Sequence, residues 1–271
     1  MKLKQPLLAL AILSTLTLGA CVSQTTQKGA VGVDRQQLLI VSEKDMQEGA
    51  VKAYGEVIDE AKKNKTLNPD AKQLARVRDI ANRLIPKTSA FRTDAPDWAW
   101  EVNVIQSDQL NAWCMPGGKI AFYTAIIEKL SLTDDEIAAI MGHEIAHALR
   151  EHGRERASQA QLQSYGLAAL SLATGIQGPT LDLASMAMNV TLTLPNSREH
   201  ETEADRMGVE LAARAGFNPE AAVHVWEKMS QLSKDAPPEI LSTHPSNASR
   251  IKDLKVYSQK VMGLYQASQK S

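Results

Sequence analysis

The sequence has almost no charge imbalance: 30 Lys and Arg stand against 31 Asp and Glu, a formal net charge of −1. No basic surface large enough to attract a polyanion is implied, which argues against nucleic-acid binding. Internal repeats are absent, and no run of like charge forms a tail. Beyond the amino terminus no uninterrupted apolar stretch reaches the roughly 20 residues of a membrane span. Residues 165–194 come nearest, but Gly175, Gln177, Gly178 and Pro179 break them. Cysteine is scarce, with only Cys21 and Cys114. What is present is a chain of 271 residues, 44% hydrophobic and 23% charged, enough for one sizeable core.

The first 20 residues differ from the rest. Lys2 and Lys4 precede the apolar run PLLALAILSTLTLGA, which has the length of a secretory signal core. The following LGAC, residues 18–21, resembles the bacterial lipobox. That likeness implies cleavage after residue 20, acylation of Cys21 and a membrane anchor of several chains. Val22 stands where an Asp would signal retention at the inner membrane, so the expected address is the periplasmic side of the outer membrane of a Gram-negative bacterium. With Cys21 acylated, only Cys114 keeps a thiol and no internal disulfide can form. Residues 21–41, polar and small at first, read as a lipid-anchored tether, and residues 42–271 as one domain.

Within that domain Ser42 opens a helix over EKDMQEGAVKAYGEVIDEAKK, and Asn68-Pro69 opens another that reaches about Leu84. WAWEVNVI, QLNAW and KIAFY then read as three short strands of a small antiparallel sheet, with Gly117-Gly118 turning the chain between the last two. A capping box, Thr133 with Glu136, starts the next helix, and Gly153 is its expected terminator. Further helices follow around a break at 175–180 and a Pro-rich loop at 235–250. The fold class is α+β, mainly helical, with the small sheet beside one central helix.

That helix carries HEIAH at 143–147. His143 and His147, at i and i+4, share one face and can supply two ligands of a tetrahedral zinc. Glu144 sits roughly 100° further round the helix and can act as general base on a metal-activated water. The pattern is HExxH, and its small and apolar neighbours place it in the interior, where imidazoles need partners. A third ligand is required. The extension to HExxHxxGxxH is absent, because position 150 is Arg and position 153 is Gly. EHETEAD at 199–205 offers the alternative: Glu201 as ligand and Asp205, at i+4, hydrogen-bonded to an imidazole from behind. Taken alone this acidic cluster reads as an exposed helix face. Glu203 and His200 lie off the Glu201 face; His152 and His224 read as surface or satisfied histidines, and Trp98, Trp100 and Trp113 as core.

HExxH followed by ExEAD resembles the HtpX-like and CAAX-prenyl-protease-like zinc metallopeptidases of the gluzincin group. NAWCMPGGKIAFYTAI at 111–126, SREHETEADRMG at 197–208 and THPSNASRI at 243–251 match three further segments of that family. The lipobox and the lack of later spans resemble its periplasmic lipoprotein members. The resemblance implies a gluzincin-type core holding one Zn2+ on His143, His147 and Glu201, and a strand carrying Asn111 and Ala112, closed by Gly117 and Gly118, that pairs with extended substrate; the alternative for that segment is a plain hairpin with no substrate role. His244 has three open roles: donor to the oxyanion, occupant of the fourth zinc position, or structural cap. Arg250 reads equally as partner of a site carboxylate or as a surface residue. Cys114 reads as a small buried residue.

The implied activity is endoproteolysis of unfolded or misassembled envelope proteins, with protein or peptide substrates and envelope assembly machinery as partners. A chaperone or assembly factor with a latent, self-blocked site is the alternative, and a purely structural zinc a third.

Overall fold

The computed structural model describes residues 22–174, 182–232, 240–244 and 248–270. The signal segment, Cys21 and the break at 175–180 lie outside these residues. Among the described residues, no helix is long and apolar enough to cross a membrane.

The elements run β1 (Val22–Ser23), β2 (Gln37–Leu38), α1 (Glu43–Lys63), α2 (Ala71–Leu84), β3 (Glu101–Ile105), β4 (Ala112–Met115), β5 (Lys119–Tyr123), α3 (Thr124–Lys129), α4 (Asp134–Leu149), α5 (His152–Thr174), α6 (Leu183–Met188), α7 (Arg198–Arg214), α8 (Ala221–Leu232), α9 (Ile240–Thr243) and α10 (Ala248–Ser268). The class is α+β and mainly helical, as expected.

The three-stranded sheet departs from the expected antiparallel meander. Its order is β3-β5-β4, with β5 antiparallel to β4 but parallel to β3. Gly117 and Gly118, both at φ near +80°, make the tight turn that folds β5 back into the gap between its two predecessors. A Cβ on Gly118 would lie 2.5 Å from the Trp100 ring. Strand order of this kind leaves no mark on hydrophobic alternation, which reports faces and not neighbours. Alternation does sort the side chains: Cys114, Ile120 and Phe122 enter the main core, while Trp113, Met115 and Ala121 enter a second one under α1 and α6.

Residues 22–41 are also unlike the expected tether. Val31, Val33, Leu39 and Val41 are buried, and Gln37 is fully so. The backbone N–H groups of Ala30 and Val31 donate to the buried Glu210 carboxylate, and those of Ile40 and Val41 to Ser158 Oγ. Of the polar residues that suggested a free linker, Thr26, Arg35 and Gln37 are hydrogen-bonded to the body.

Helix α4 opens at the expected capping box, with the Thr133 side chain accepting from Glu136 N and Glu136 accepting from Thr133 N. It ends earlier than Gly153 predicts. Glu151 takes φ +52° and breaks the helix, so that His152 and Gly153 begin α5. The start of α2 likewise belongs to Asp70, which caps Lys72 and Gln73, while Asn68 sits in the left-handed region. All residues of α4 from Glu136 to Leu149 are buried, as befits a helix enclosed on every side. The sheet covers one side through β4; α7 covers another.

The α4–α7 crossing has no side-chain spacer. A Cβ on Gly142 would come 2.8 Å from Gly208 O, and one on Gly208 would come 2.8 Å from His143 N. Backbone therefore meets backbone one residue before the first histidine of HEIAH and three after Asp205. A Gly208→Ala substitution must push the helices apart; we expect it to cost about 1–3 kcal/mol in urea unfolding and to lower bound metal in the same preparation. Wild-type values of both would show that the crossing does not set the spacing.

Candidate metal centre

The crossing lays Glu201 and Asp205 of α7 beside His143 and His147 of α4. His143 Nε2 lies 3.1 Å from His147 Nε2. Glu201 Oε1 is 3.4 Å from His147 Nε2, and Glu201 Oε2 is 3.5 Å from His143 Nε2. A fourth group joins them: His244, directly after α9, places Nδ1 3.2 Å from His143 Nε2 and 3.0 Å from Glu201 Oε1. Metal–ligand bonds of 2.0–2.1 Å in a tetrahedron imply ligand atoms about 3.3 Å apart. The distances above, 3.0–3.5 Å, are close to those edges, and all four residues are buried. Ring nitrogens brought this close without a carboxylate between them suit a shared cation better than a proton network. The residues present therefore fit a metal.

The supports are in place behind them. Asp205 Oδ1 lies 3.0 Å from His143 Nδ1. Arg250, which the sequence left undecided, is buried: its guanidinium donates to both Asp205 oxygens at 2.7 and 2.8 Å and lies 2.7 Å from Glu201 Oε2. The Trp226 ring stacks on it, 4.0 Å from guanidinium carbon to centroid. Burial opposes ionisation of Glu201 and Asp205, yet the surrounding histidines and Arg250 hold both carboxyls below their ordinary range. Burial disfavours charge on His143 too, but the Asp205 and Glu201 carboxylates, 3.0 and 3.5 Å away, outweigh it and raise its pKa to about 10. For His147 burial prevails and keeps the ring neutral. The negative charge that draws a proton to His143 is what a divalent cation would compensate.

Glu144 faces the same space. Its Oε1 is 3.4 Å from His244 Nε2 and has no hydrogen-bond partner among the described residues. Burial raises its pKa, which the charges of His244 and His143 partly offset. Two cavities meet at Glu144 and His244. One is apolar, with Ile140, Val209, Val225, Trp226 and Met229. The other contains Cys114, Pro116, His147, Arg156 and Asn196.

The substrate-strand residues of the sequence reading are placed less uniformly. Ala112 opens β4, an edge strand, directly after Asn111, but neither residue lines these cavities. Gly117 and Gly118 are in the β4–β5 turn, beside Gln47 and Trp100. The cavity residues from this segment are Cys114 and Pro116. Cys114 is buried, and burial pushes its thiol up. Asn196, not singled out by the sequence, has Nδ2 3.4 Å from His244 Nδ1 and 3.3 Å from Thr243 O. His224 is exposed, whereas His152 and His200 are buried and paired with Glu203 and Glu155.

A buried HExxH helix crossed by a helix that supplies glutamate and its aspartate support defines a gluzincin-type metallopeptidase core. The particular family follows from sequence comparison. The model of peptidase family M48 matches residues 71–258, and the chain belongs to that family. It is 32% identical over 177 residues to the mitochondrial metalloendopeptidase OMA1 of Saccharomyces cerevisiae, covering 62% of this chain and 50% of that one. Human OMA1 is 30% identical over 236 residues, 81% of this chain and 44% of its own. The beta-barrel assembly-enhancing protease of Escherichia coli K12 is 28% identical over 189 residues, 66% of this chain and 37% of its own. This chain thus spans half or less of the length of each.

A metal seated on four buried donors must stabilise the fold by mass action. At a free metal concentration 100 times Kd the gain is about 2.7 kcal/mol. Chelation should accordingly lower the melting temperature reversibly, with recovery on adding zinc. An unchanged melting curve would mean that no metal binds.

Proposed function

We propose that the chain is a zinc-dependent endopeptidase acting on unfolded or misassembled proteins of a bacterial envelope. The observation that carries this reading is the convergence of His143, His147 and Glu201 at near-tetrahedral spacing beside Glu144, whose Oε1 has no hydrogen-bond partner among the described residues. Family membership and relatives named as endopeptidases support it. Two imidazoles and a carboxylate suit zinc among the divalent metals.

His143, His147 and Glu201 would hold the zinc, which when bound would acidify a water and polarise the scissile carbonyl. Glu144 accepts the proton of the attacking water and returns it to the leaving amine; its raised pKa brings it nearer the working pH. Asp205, clamped by Arg250, holds the Nδ1 side of His143 so that Nε2 faces the metal. Substrate lies extended along β4, with Asn111 and Ala112 at one end and Cys114 and Pro116 beside Glu144.

His244 Nδ1, 3.2 Å from His143 Nε2 and 3.0 Å from Glu201 Oε1, would supply a fourth donor to a metal held there, and its Nε2 lies 3.4 Å from Glu144 Oε1. This favours the guarding role over the oxyanion role, and it keeps alive a second reading, an assembly factor with a latent site. The E. coli relative, named for enhancing β-barrel assembly, supports envelope substrates and machinery for either reading. The signal-like segment and LGAC support anchoring through Cys21 at the outer membrane, facing the periplasm.

Glu144→Gln should bind zinc as wild type does and lose casein hydrolysis by at least the roughly 100-fold typical of a missing general base. Hydrolysis at the wild-type rate would refute the mechanism. If Glu144→Gln nevertheless rescues an envelope-assembly defect fully, the assembly-factor reading holds. His244→Ala should raise hydrolysis if the imidazole guards the site; a fall in rate would assign it to the oxyanion. Cys21→Ala should release the protein from membranes, and unchanged fractionation would exclude acylation there.

A further inference from the structure

Behind His147, on the side away from Glu201, is a second chain of buried polar groups that the mechanism does not use. His147 Nδ1 lies 2.8 Å from His152 Nδ1, and His152 Nε2 lies 2.9 Å from Glu203 Oε2. His152 is fully buried. Two guanidiniums then hold Glu203. Arg150, itself fully buried, donates from Nη2 to both oxygens at 3.1 and 3.2 Å. Arg35 donates from Nε at 3.0 Å and from Nη2 at 3.1 Å. Arg35 comes from the 22–41 segment, and Nη1 and Nη2 also grip Glu155 at 2.6 and 2.8 Å.

We propose that His152 and Glu203 form a directional hydrogen-bond relay that fixes the tautomer and orientation of His147, and that Arg35 closes the relay from the amino-terminal segment. These are positioning residues.

The direction follows from the outside inward, without reference to the metal. Glu203 accepts from two guanidiniums and is an ionised acceptor, so the hydrogen between it and His152 is carried by His152 Nε2. A neutral imidazole has one N–H, so His152 Nδ1 is left with a lone pair. The 2.8 Å contact to His147 Nδ1 then requires the hydrogen on His147. His147 is thereby locked as the Nδ1–H tautomer, with the Nε2 lone pair directed at His143 Nε2, Glu201 Oε1 and His244 Nδ1. Both rings are buried, which disfavours the imidazolium form and agrees with that assignment. Metal-ligating histidines ordinarily give this hydrogen to a carboxylate, a carbonyl or water. Here a second histidine intervenes because the left-handed turn at Glu151 brings His152 in behind the helix it follows.

A consequence concerns the segment expected to be a tether. Gln37 Nε2 donates to Arg150 O and to Glu155, and Arg150 Nη2 donates to Arg35 O. The segment is thus built into the support of a metal ligand, and the functional domain begins before Ser42.

The relay rests on the metal-centre reading, and the test separates the two. Full-length His152→Leu, His152→Gln and Arg35→Gln are compared with wild type by competition of zinc against a chelator, alongside the melting temperature of each zinc-free protein. His152→Leu should weaken zinc binding roughly 10- to 100-fold. His152→Gln, able to accept from His147 and donate to Glu203, should recover most of that loss. Arg35→Gln should give a smaller loss, since Arg150 still holds Glu203. Wild-type zinc affinity in folded His152→Leu refutes the relay alone; no zinc binding by wild type refutes the metal centre. A readout independent of the variants is the imidazole 15N spectrum of the zinc-free wild type. It should show His147 protonated at Nδ1 and His152 at Nε2, and the opposite assignment overturns the proposal.

Discussion

The contact between Gly142 and Gly208 sets the geometry on which the centre depends. Helices with ordinary side chains between them pack 8–10 Å apart, a range that the residues at the contact decide. Two glycines at the crossing put these helices at the close end. Carboxylate side chains on α7 can then reach imidazoles on α4 without help from a loop. Glu201 lies about two turns before Gly208 and Asp205 about one turn before it, so both carboxylates are placed by rigid helix. Each helix is held from elsewhere: α4 by β4 on its other side, α7 by α10 and by the amino-terminal segment through Glu210.

A precise site here means many buried ionisable groups, and buried ion pairs seldom stabilise a fold on balance. His143, Glu144, His147, Arg150, His152, Glu155, Glu201, Glu203, Asp205 and Arg250 are all buried. They divide into two networks that meet at the histidines. One, around Asp205 and Arg250, restrains His143; the other, around Glu203 with Arg150 and Arg35, stands behind His147. The apolar core of α2, α4, α7, α8 and the sheet must carry the stability that these networks do not.

The legible parts of the sequence are those whose physics is local. The capping box of α4, the i and i+4 histidines, and the spacing of Glu201 to Asp205 all follow from helical periodicity, and the structure places each as periodicity requires. Strand order was not legible, because β5 inserts between strands that precede it. Residues 22–41 were misread because TTQKGAVGVDRQQ has the composition of a linker; its polar groups meet partners more than 100 residues away, which no window reveals. Arg250 and His152 looked optional for the same reason. Glu203 is the instructive case. Helical geometry correctly turned it away from Glu201, and that orientation carries it to His152 Nε2, 2.9 Å away, on the far side of His147.

Charge balance ties these pieces together. Glu144, Glu201 and Asp205 are three carboxylates around one directly paired guanidinium, Arg250. Arg156 lines the cavity beside Glu144, with no carboxylate within ion-pair distance among the described residues, and burial lowers its pKa to about 10. It relieves the imbalance only through space. The Asp205 and Glu201 carboxylates raise the pKa of His143 to about 10, against the penalty of burying its charge. The ring must nevertheless be neutral to ligate. A divalent cation and the His143 proton are therefore competitors for one electrostatic well, and Asp205 serves both: it stabilises the imidazolium when the proton wins and orients the neutral ring when the metal does. The same carboxylates that make the centre costly to bury are what make a dication its natural occupant.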